Sequence, residues 1–88
     1  MQITRRILTE EVIEVQFPHY STDNVCHWYK AISENTIIKI FSGSGGYCTI
    51  DLSEYNVHTA FEEKNLIITE EEFKAKYIEV LEKITNQL

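Results

Sequence analysis

The sequence predicts an α+β fold, in which a small, mostly antiparallel four-stranded sheet (a meander) carries one C-terminal helix packed on one face. Two observations support this prediction. Apolar residues recur at helical spacing near the C-terminus, and short β-favouring segments separated by tight turns fill most of the preceding chain. The length of 88 residues predicts one domain, residues 1–88.

The C-terminal helix is predicted over residues 70–86. Thr69 and Glu72 have the spacing of a capping box, in which each side chain binds a backbone N–H that the first helical turn leaves unpaired. Consecutive glutamates in that turn suit the positive end of the helix dipole. The apolar stripe expected to face the sheet consists of Phe73, Tyr77, Val80, Leu81, Ile84 and Leu88.

Four strands are predicted before this helix. Residues 13–17 alternate between apolar and polar side chains, and Pro18 ends this strand because proline has no N–H to donate to a sheet. The turns between the strands that follow are short, so neighbouring strands are expected to run antiparallel. These later strands are placed at residues 26–33, 36–41 and 47–52.

Three further segments have less regular patterns. Residues 3–8 favour β structure, either as a separate strand or as the first part of one long bent strand. Residues 19–24 are polar and predict a turn, and residues 57–61 predict either a short edge strand or a turn of helix. The predicted core combines the inward positions of all these elements: Ile13, Val15, Phe17, Ile32, Ile38, Ile40, Ile50, Leu52, Phe73, Tyr77, Val80, Leu81 and Ile84.

The net charge limits the classes of partner. The chain has a formal net charge of −6 and a pI near 4.9, whereas binding to nucleic acid or to an anionic membrane needs a basic surface. The sequence has neither the pattern of a signal peptide nor an apolar run of about 18 residues. We therefore expect a cytoplasmic protein that binds neither nucleic acid nor a membrane, and no residue pattern predicts a cofactor.

Side chains that could bind a metal or act as nucleophiles are scattered along the chain. They are His19, Cys26, His27, Cys48 and His58, and they lack the paired spacing of a zinc site. Cys26 and His27 are adjacent, so in a strand their side chains are expected to point to opposite faces. No metal site and no catalytic residue are predicted, and a cysteine–histidine pair would form only if the fold brought the two residue types together.

A glycine-rich loop is one candidate binding region. Its glycines would let backbone N–H groups approach an anion, which suits a nucleotide or another phosphate compound. A simple hairpin loop explains the same residues. The loop consists of Ser42, Gly43, Ser44, Gly45 and Gly46.

An aromatic surface is the other candidate. Half of each strand must face away from the helix, and Tyr, Trp and Phe are enriched at binding surfaces. Core packing or cross-strand pairing is the alternative role for each ring. The residues predicted to form this partner-binding surface are Tyr20, His27, Trp28, Tyr29 and Tyr47.

Four segments of the chain resemble those of small uncharacterised proteins of gut bacteria and their phages. They are LTEEVIEV at residues 8–15, FPHY at residues 17–20, HWYK at residues 27–30 and TEEEF at residues 69–73. The resemblance spans most of the chain and implies no activity, cofactor or site. It implies an accessory or mobile-element protein, whose usual mode of action is to bind another macromolecule.

Three functional hypotheses follow. The first is a small, acidic, non-enzymatic protein-binding module, such as a phage or mobile-element protein that antagonises a host factor. The second is a small-molecule binding protein for a nucleotide or phosphate, and the third is a Cys-dependent enzyme. For the first hypothesis the expected partner is another protein. The small size and the spare aromatic residues also suggest a homodimer through the open face of the sheet.

Overall fold

The computed structural model describes residues 2–6, 10–43, 46–54 and 56–87. Their fold is α+β, as predicted, with one main antiparallel sheet and one C-terminal helix. The strands are β1 (Gln2–Arg6), β2 (Glu10–Glu14), β3 (His19–Thr22), β4 (His27–Ser33), β5 (Thr36–Ser42), β6 (Cys48–Ser53) and β7 (Leu66–Ile67). The helices are a 3-10 helix (Val57–Phe61) and α1 (Glu70–Thr85). Within the described ranges, no helix combines the length and the apolar character needed to cross a bilayer.

The main sheet has five strands in the order β6-β5-β4-β3-β7, instead of the predicted four. The strands from β3 to β6 follow one another in sequence and pair with their neighbours, which makes them a meander. β7 adds a short edge strand beside β3. β1 and β2 form a separate two-stranded sheet. The strand predicted at residues 13–17 lies earlier in the chain, because β2 ends at Glu14, and it is not part of the main sheet.

β3 occupies a segment that was predicted to be a turn. The Ser21 hydroxyl donates to the Ala60 carbonyl at 2.6 Å, and Ser21 is fully buried. The Thr22 hydroxyl donates to the His27 carbonyl at 2.7 Å, and Thr22 is buried too. The polar composition of this segment indicated a turn, but the Ser21 hydroxyl has a distant partner and the Thr22 hydroxyl has one across the adjoining turn, so both are satisfied inside the fold.

Both faces of the main sheet are covered. On one side, the helix face, α1 packs against β5 over the buried residues Ile40, Phe73 and Val80. On the other side, the far face, the 3-10 helix and residues 15–17 cover a second cluster of Val15, Tyr29, Ala31, Ile37, Val57, Ala60 and Phe61. Because both faces are buried, β5 has consecutive apolar residues rather than a strict alternation of apolar and polar ones. The 3-10 helix also resolves the alternatives for residues 57–61 in favour of a helical turn.

Part of the predicted core is wrong. Tyr77 and Leu81 are exposed because α1 contacts the sheet along a strip narrower than its apolar stripe, and Leu52 is exposed because it lies on the edge strand β6. Ile32 is exposed at the end of β4, where the pairing with β5 shifts register between Ala31 and Ser33. The other predicted core residues from Val15 onward are buried or packed against a buried cluster: Val15, Phe17, Ile38, Ile40, Ile50, Phe73, Val80 and Ile84. The side chains of Ile13 and Leu88 lie outside the described part of the chain.

The capping box predicted at the start of α1 is present. The Thr69 hydroxyl accepts the Glu72 N–H at 3.1 Å, and the Glu72 carboxylate accepts the Thr69 N–H at 3.4 Å. Two N–H groups that the helix cannot pair internally therefore have partners. The helix ends at Thr85, one residue before the predicted end.

Replacing Thr69 by alanine is expected to lower the free energy of unfolding by about 1 kcal/mol, because the Glu72 N–H loses its acceptor. Chemical denaturation followed by circular dichroism measures this change. Thr85→Ala is the matched control, since Thr85 is exposed at the other end of α1 and its loss is expected to change stability by less than about 0.5 kcal/mol. Equal losses from the two variants would contradict the role assigned to the cap.

Candidate functional site

Two turns of the main sheet lie at the same end of the molecule. The β3–β4 turn (residues 23–26) and the β5–β6 connection, of which the structure describes Gly43, Gly46 and Tyr47, are neighbours because β4 begins where its antiparallel partner β5 ends. The Ser42 N–H donates to the Cys26 carbonyl at 2.8 Å and joins the two turns. We call this region the turn end, and it brings Asp23 and Cys26 close to His27 at the start of β4.

Asp23 organises the β3–β4 turn. Its Oδ1 atom accepts three backbone N–H groups, from Val25 at 2.9 Å, Cys26 at 3.0 Å and His27 at 2.9 Å. Asn24 takes the left-handed conformation with φ of 60°, which asparagine tolerates better than most residues. A single carboxylate oxygen therefore fixes the path of the chain into β4.

The second oxygen of Asp23 faces two other functional groups. Asp23 Oδ2 lies 2.8 Å from His27 Nδ1 and 4.0 Å from Cys26 Sγ, and Cys26 Sγ lies 3.2 Å from His27 Nδ1. The prediction that adjacent Cys26 and His27 point to opposite faces is therefore wrong. Cys26 lies in the turn, one residue before β4, where the alternation of a strand does not apply.

The surroundings of Asp23 and Cys26 shift the pKa values of these two side chains in opposite directions. Partial burial acts to raise the pKa of Asp23, but the hydrogen bonds from the backbone and ring of His27 and from the Val25 and Cys26 N–H groups outweigh it and lower the pKa to about 2. Burial and the nearby Asp23 carboxylate raise the pKa of the Cys26 thiol above its ordinary value. A nucleophilic cysteine needs the thiolate form, so this environment opposes the chemistry of a Cys-dependent enzyme.

A row of four rings extends from this turn across the far face. His27 stacks parallel to Tyr29 with ring centroids 5.9 Å apart, and it meets the Phe41 ring edge-on at 5.2 Å. Phe41 in turn meets Tyr47 at 5.6 Å. We call Tyr29, His27, Phe41 and Tyr47 the aromatic row. It runs from the buried Tyr29 to Tyr47, which is 67% exposed.

Gly43 makes room for the aromatic row. A Cβ atom at this position would lie 2.9 Å from two atoms of the Phe41 ring, which is closer than such atoms approach. Its N–H donates to the Tyr47 carbonyl at 2.9 Å. Gly46 has a φ of 82°, a conformation that favours glycine. The loop predicted to bind phosphate thus has structural reasons for two of its glycines, while Ser44 and Gly45 lie outside the described residues.

The structure divides the predicted aromatic surface between the two faces of the sheet. His27, Tyr29 and Tyr47 belong to the aromatic row. Tyr20 and Trp28 lie on the helix face, where Tyr20 packs 5.6 Å from the Phe73 ring and Lys76 Nζ lies 4.4 Å from the Trp28 centroid. Phe41 also belongs to the row, because it lies directly opposite His27 in the β4–β5 register.

The remaining scattered side chains lie elsewhere. His19 stacks on Phe61 at 4.3 Å, and burial lowers the pKa of its imidazole. Cys48 packs against the helix-face cluster, and His58 is exposed on the 3-10 helix. Among the residues that the structure describes, Asp23, Cys26 and His27 form the one group of three possible metal ligands whose donor atoms lie within 4.8 Å of one another.

A cleft of about 540 Å³ opens between residues 14–18, the 3-10 helix and β7. The described residues that line it include Glu14, Glu62 and Glu63, and none of them is a lysine or an arginine. The described lining therefore offers a phosphate group no lysine or arginine as a counter-charge.

Comparisons of the chain with known protein families, with curated proteins and with solved structures find no match.

Proposed function

We propose that this protein is a small, non-enzymatic protein-binding module whose contact surface is the aromatic row at the turn end. The observation that supports the proposal is the run of adjacent rings that leads from the core to the exposed Tyr47. Val25, which is 78% exposed in the neighbouring turn, adds apolar surface. Aromatic side chains have few rotatable bonds, so they bind with little loss of conformational entropy, as at protein–protein hot spots.

The charge of the chain favours a partner with a basic contact surface. A net charge of −6 attracts positively charged proteins over long range and speeds their encounter. Exposed aromatic faces also attract arginine and lysine side chains through cation–π contacts. We therefore propose a partner that presents arginine or lysine next to apolar residues. Antagonism of a host factor by a phage or mobile-element protein is a setting suited to such a module, and it rests on the sequence resemblance alone.

The other two hypotheses have less support. The Gly43 N–H is used within its own turn, and the acidic cleft has no described cationic side chain for a nucleotide or phosphate. The cysteine nearest a histidine, Cys26, has a raised pKa. A protein contact surface needs neither an anion site nor a reactive thiol.

Tyr47→Ala is expected to weaken partner binding at least about tenfold, because Tyr47 is the exposed end of the aromatic row. Peptides selected by the folded chain from a random display library supply a defined partner, and their dissociation constants are then measured by isothermal titration calorimetry. The selected sequences are expected to be rich in arginine or lysine, with affinities that fall as salt rises.

Tyr77→Ala is the matched control for this experiment. Tyr77 is an exposed ring on α1, on the opposite side of the sheet, so its removal is expected to change the affinity less than twofold. The thermal unfolding of each variant is recorded to show that the binding data come from folded protein. Equal affinities for the wild-type chain and Tyr47→Ala, or loss of binding only in Tyr77→Ala, would overturn the proposed surface. Sedimentation of the free chain shows whether a second copy occupies the same surface by forming a homodimer.

A further inference from the structure

We propose that Asp23, Cys26 and His27 bind one divalent transition-metal ion, with Zn²⁺ the best match to their donor atoms. The three donors are a carboxylate oxygen, a cysteine sulfur and an imidazole nitrogen, and all of them lie within 4.8 Å of one another. Zinc binds cysteine as the thiolate and histidine through a nitrogen without a proton, so binding releases the Cys26 thiol proton to solvent and leaves the His27 proton on Nε2 instead of Nδ1. These three ligand types are the ones that bind zinc in proteins. The inference rests on this geometry and does not depend on the proposed partner surface.

The donor separations are close to those of a tetrahedral site. Zinc bonds of about 2.0–2.3 Å place neighbouring ligand atoms roughly 3.3–3.6 Å apart. The observed separations of 2.8 Å, 3.2 Å and 4.0 Å lie on both sides of that range. Movements of a few tenths of an ångström in the Cys26 and His27 side chains would therefore bring all three donors into coordination.

The surrounding contacts hold the donors in place before any ion binds. Asp23 Oδ1 is held by three backbone N–H groups, which leaves Oδ2 directed at the other two donors. The His27 ring is held between Tyr29 and Phe41. Secondary contacts of this kind orient the ligands of metal sites and raise their affinity.

The position of the sulfur is the observation that favours an ion over a simple ion pair. Asp23 and His27 alone suffice to close the turn, and the weakly hydrogen-bonding thiol adds little to that pairing. The thiol nevertheless lies 3.2 Å from the imidazole nitrogen on the same side as the carboxylate. Three protein ligands leave the fourth zinc position to water or to a donor from a bound molecule.

Titration of the full chain with Co²⁺ tests the site, because Co²⁺ bound to a thiolate has a charge-transfer band and tetrahedral Co²⁺ has intense visible bands. We expect both signals to saturate at one equivalent and to disappear when Zn²⁺ is added. Cys26→Ser, which keeps the backbone hydrogen bonds of the turn, is expected to lose the charge-transfer band. Cys48→Ser is the matched control and is expected to keep it, since Cys48 packs on the helix face.

A second pair of variants tests the imidazole separately. His27→Gln is expected to weaken Zn²⁺ binding, measured by calorimetry, at least about tenfold, whereas His19→Gln is expected to leave it unchanged. Circular dichroism verifies that each variant is folded. The proposal is overturned if Co²⁺ produces no charge-transfer band, if the band persists in Cys26→Ser, or if the control variants lose binding to the same extent.

Discussion

Replacing Phe73 by alanine is expected to lower the free energy of unfolding by about 3–5 kcal/mol, the largest loss that we predict for a single change. Phe73 is 4% exposed and packs with Ile40 and Val80, both of which have no exposed surface. Its ring also contacts Tyr20 on β3. Since a small domain is stable by about 5–15 kcal/mol in total, this variant is expected to be close to unfolding. Urea denaturation followed by circular dichroism measures the change.

Leu52→Ala is the control for this prediction. Leu52 belongs to the apolar alternation of its strand, yet it is 68% exposed on β6. Its truncation removes little buried surface and is expected to change the free energy of unfolding by less than about 0.5 kcal/mol. Comparable losses from Phe73→Ala and Leu52→Ala would show that α1 does not pack on the sheet as described.

Local signals predicted α1 well. The capping box at Thr69 and Glu72 involves residues three positions apart, so the sequence contains both partners of each hydrogen bond. The segment containing Ser21 is the opposite case. Its hydroxyl finds the Ala60 carbonyl 39 positions further along the chain, and no local pattern indicates that partner. The polar residues of this strand therefore look like those of a turn in the sequence, because the distant partner that satisfies Ser21 is not visible there.

The same distinction applies to the candidate site. The aromatic character of β4 was evident, but the face on which each ring lies depends on strand register and on where α1 packs. The place of Phe41 next to His27 could have been predicted, because a short turn between β4 and β5 sets their register. The contact between the Cys26 and His27 side chains could not have been predicted, because it depends on the bend that Asp23 imposes one residue before β4.

Asp23→Ala is expected to lower the free energy of unfolding by about 2 kcal/mol, the second largest loss that we predict. The variant leaves three backbone N–H groups without their acceptor, and part of that loss is offset by water at the partly exposed turn. Asp23→Asn keeps an oxygen that can accept these bonds, so we expect it to lose only about half as much. Asp51→Ala, at an exposed position on β6, is expected to change stability by less than about 0.5 kcal/mol.

The charge of Asp23 gives this prediction a dependence on pH. Its pKa is about 2 in the folded chain and has an ordinary value of 3.8, so the folded state favours the ionised carboxylate. The stabilisation is therefore complete above about pH 4 and is lost as the pH falls from there through the folded pKa. Denaturation curves recorded in metal-free buffer at a series of pH values measure this loss. We expect the difference in stability between the wild-type chain and Asp23→Ala to shrink as the pH falls from about 4 to about 2. A constant difference between them would show that the hydrogen bonds of this turn do not depend on the ionised carboxylate.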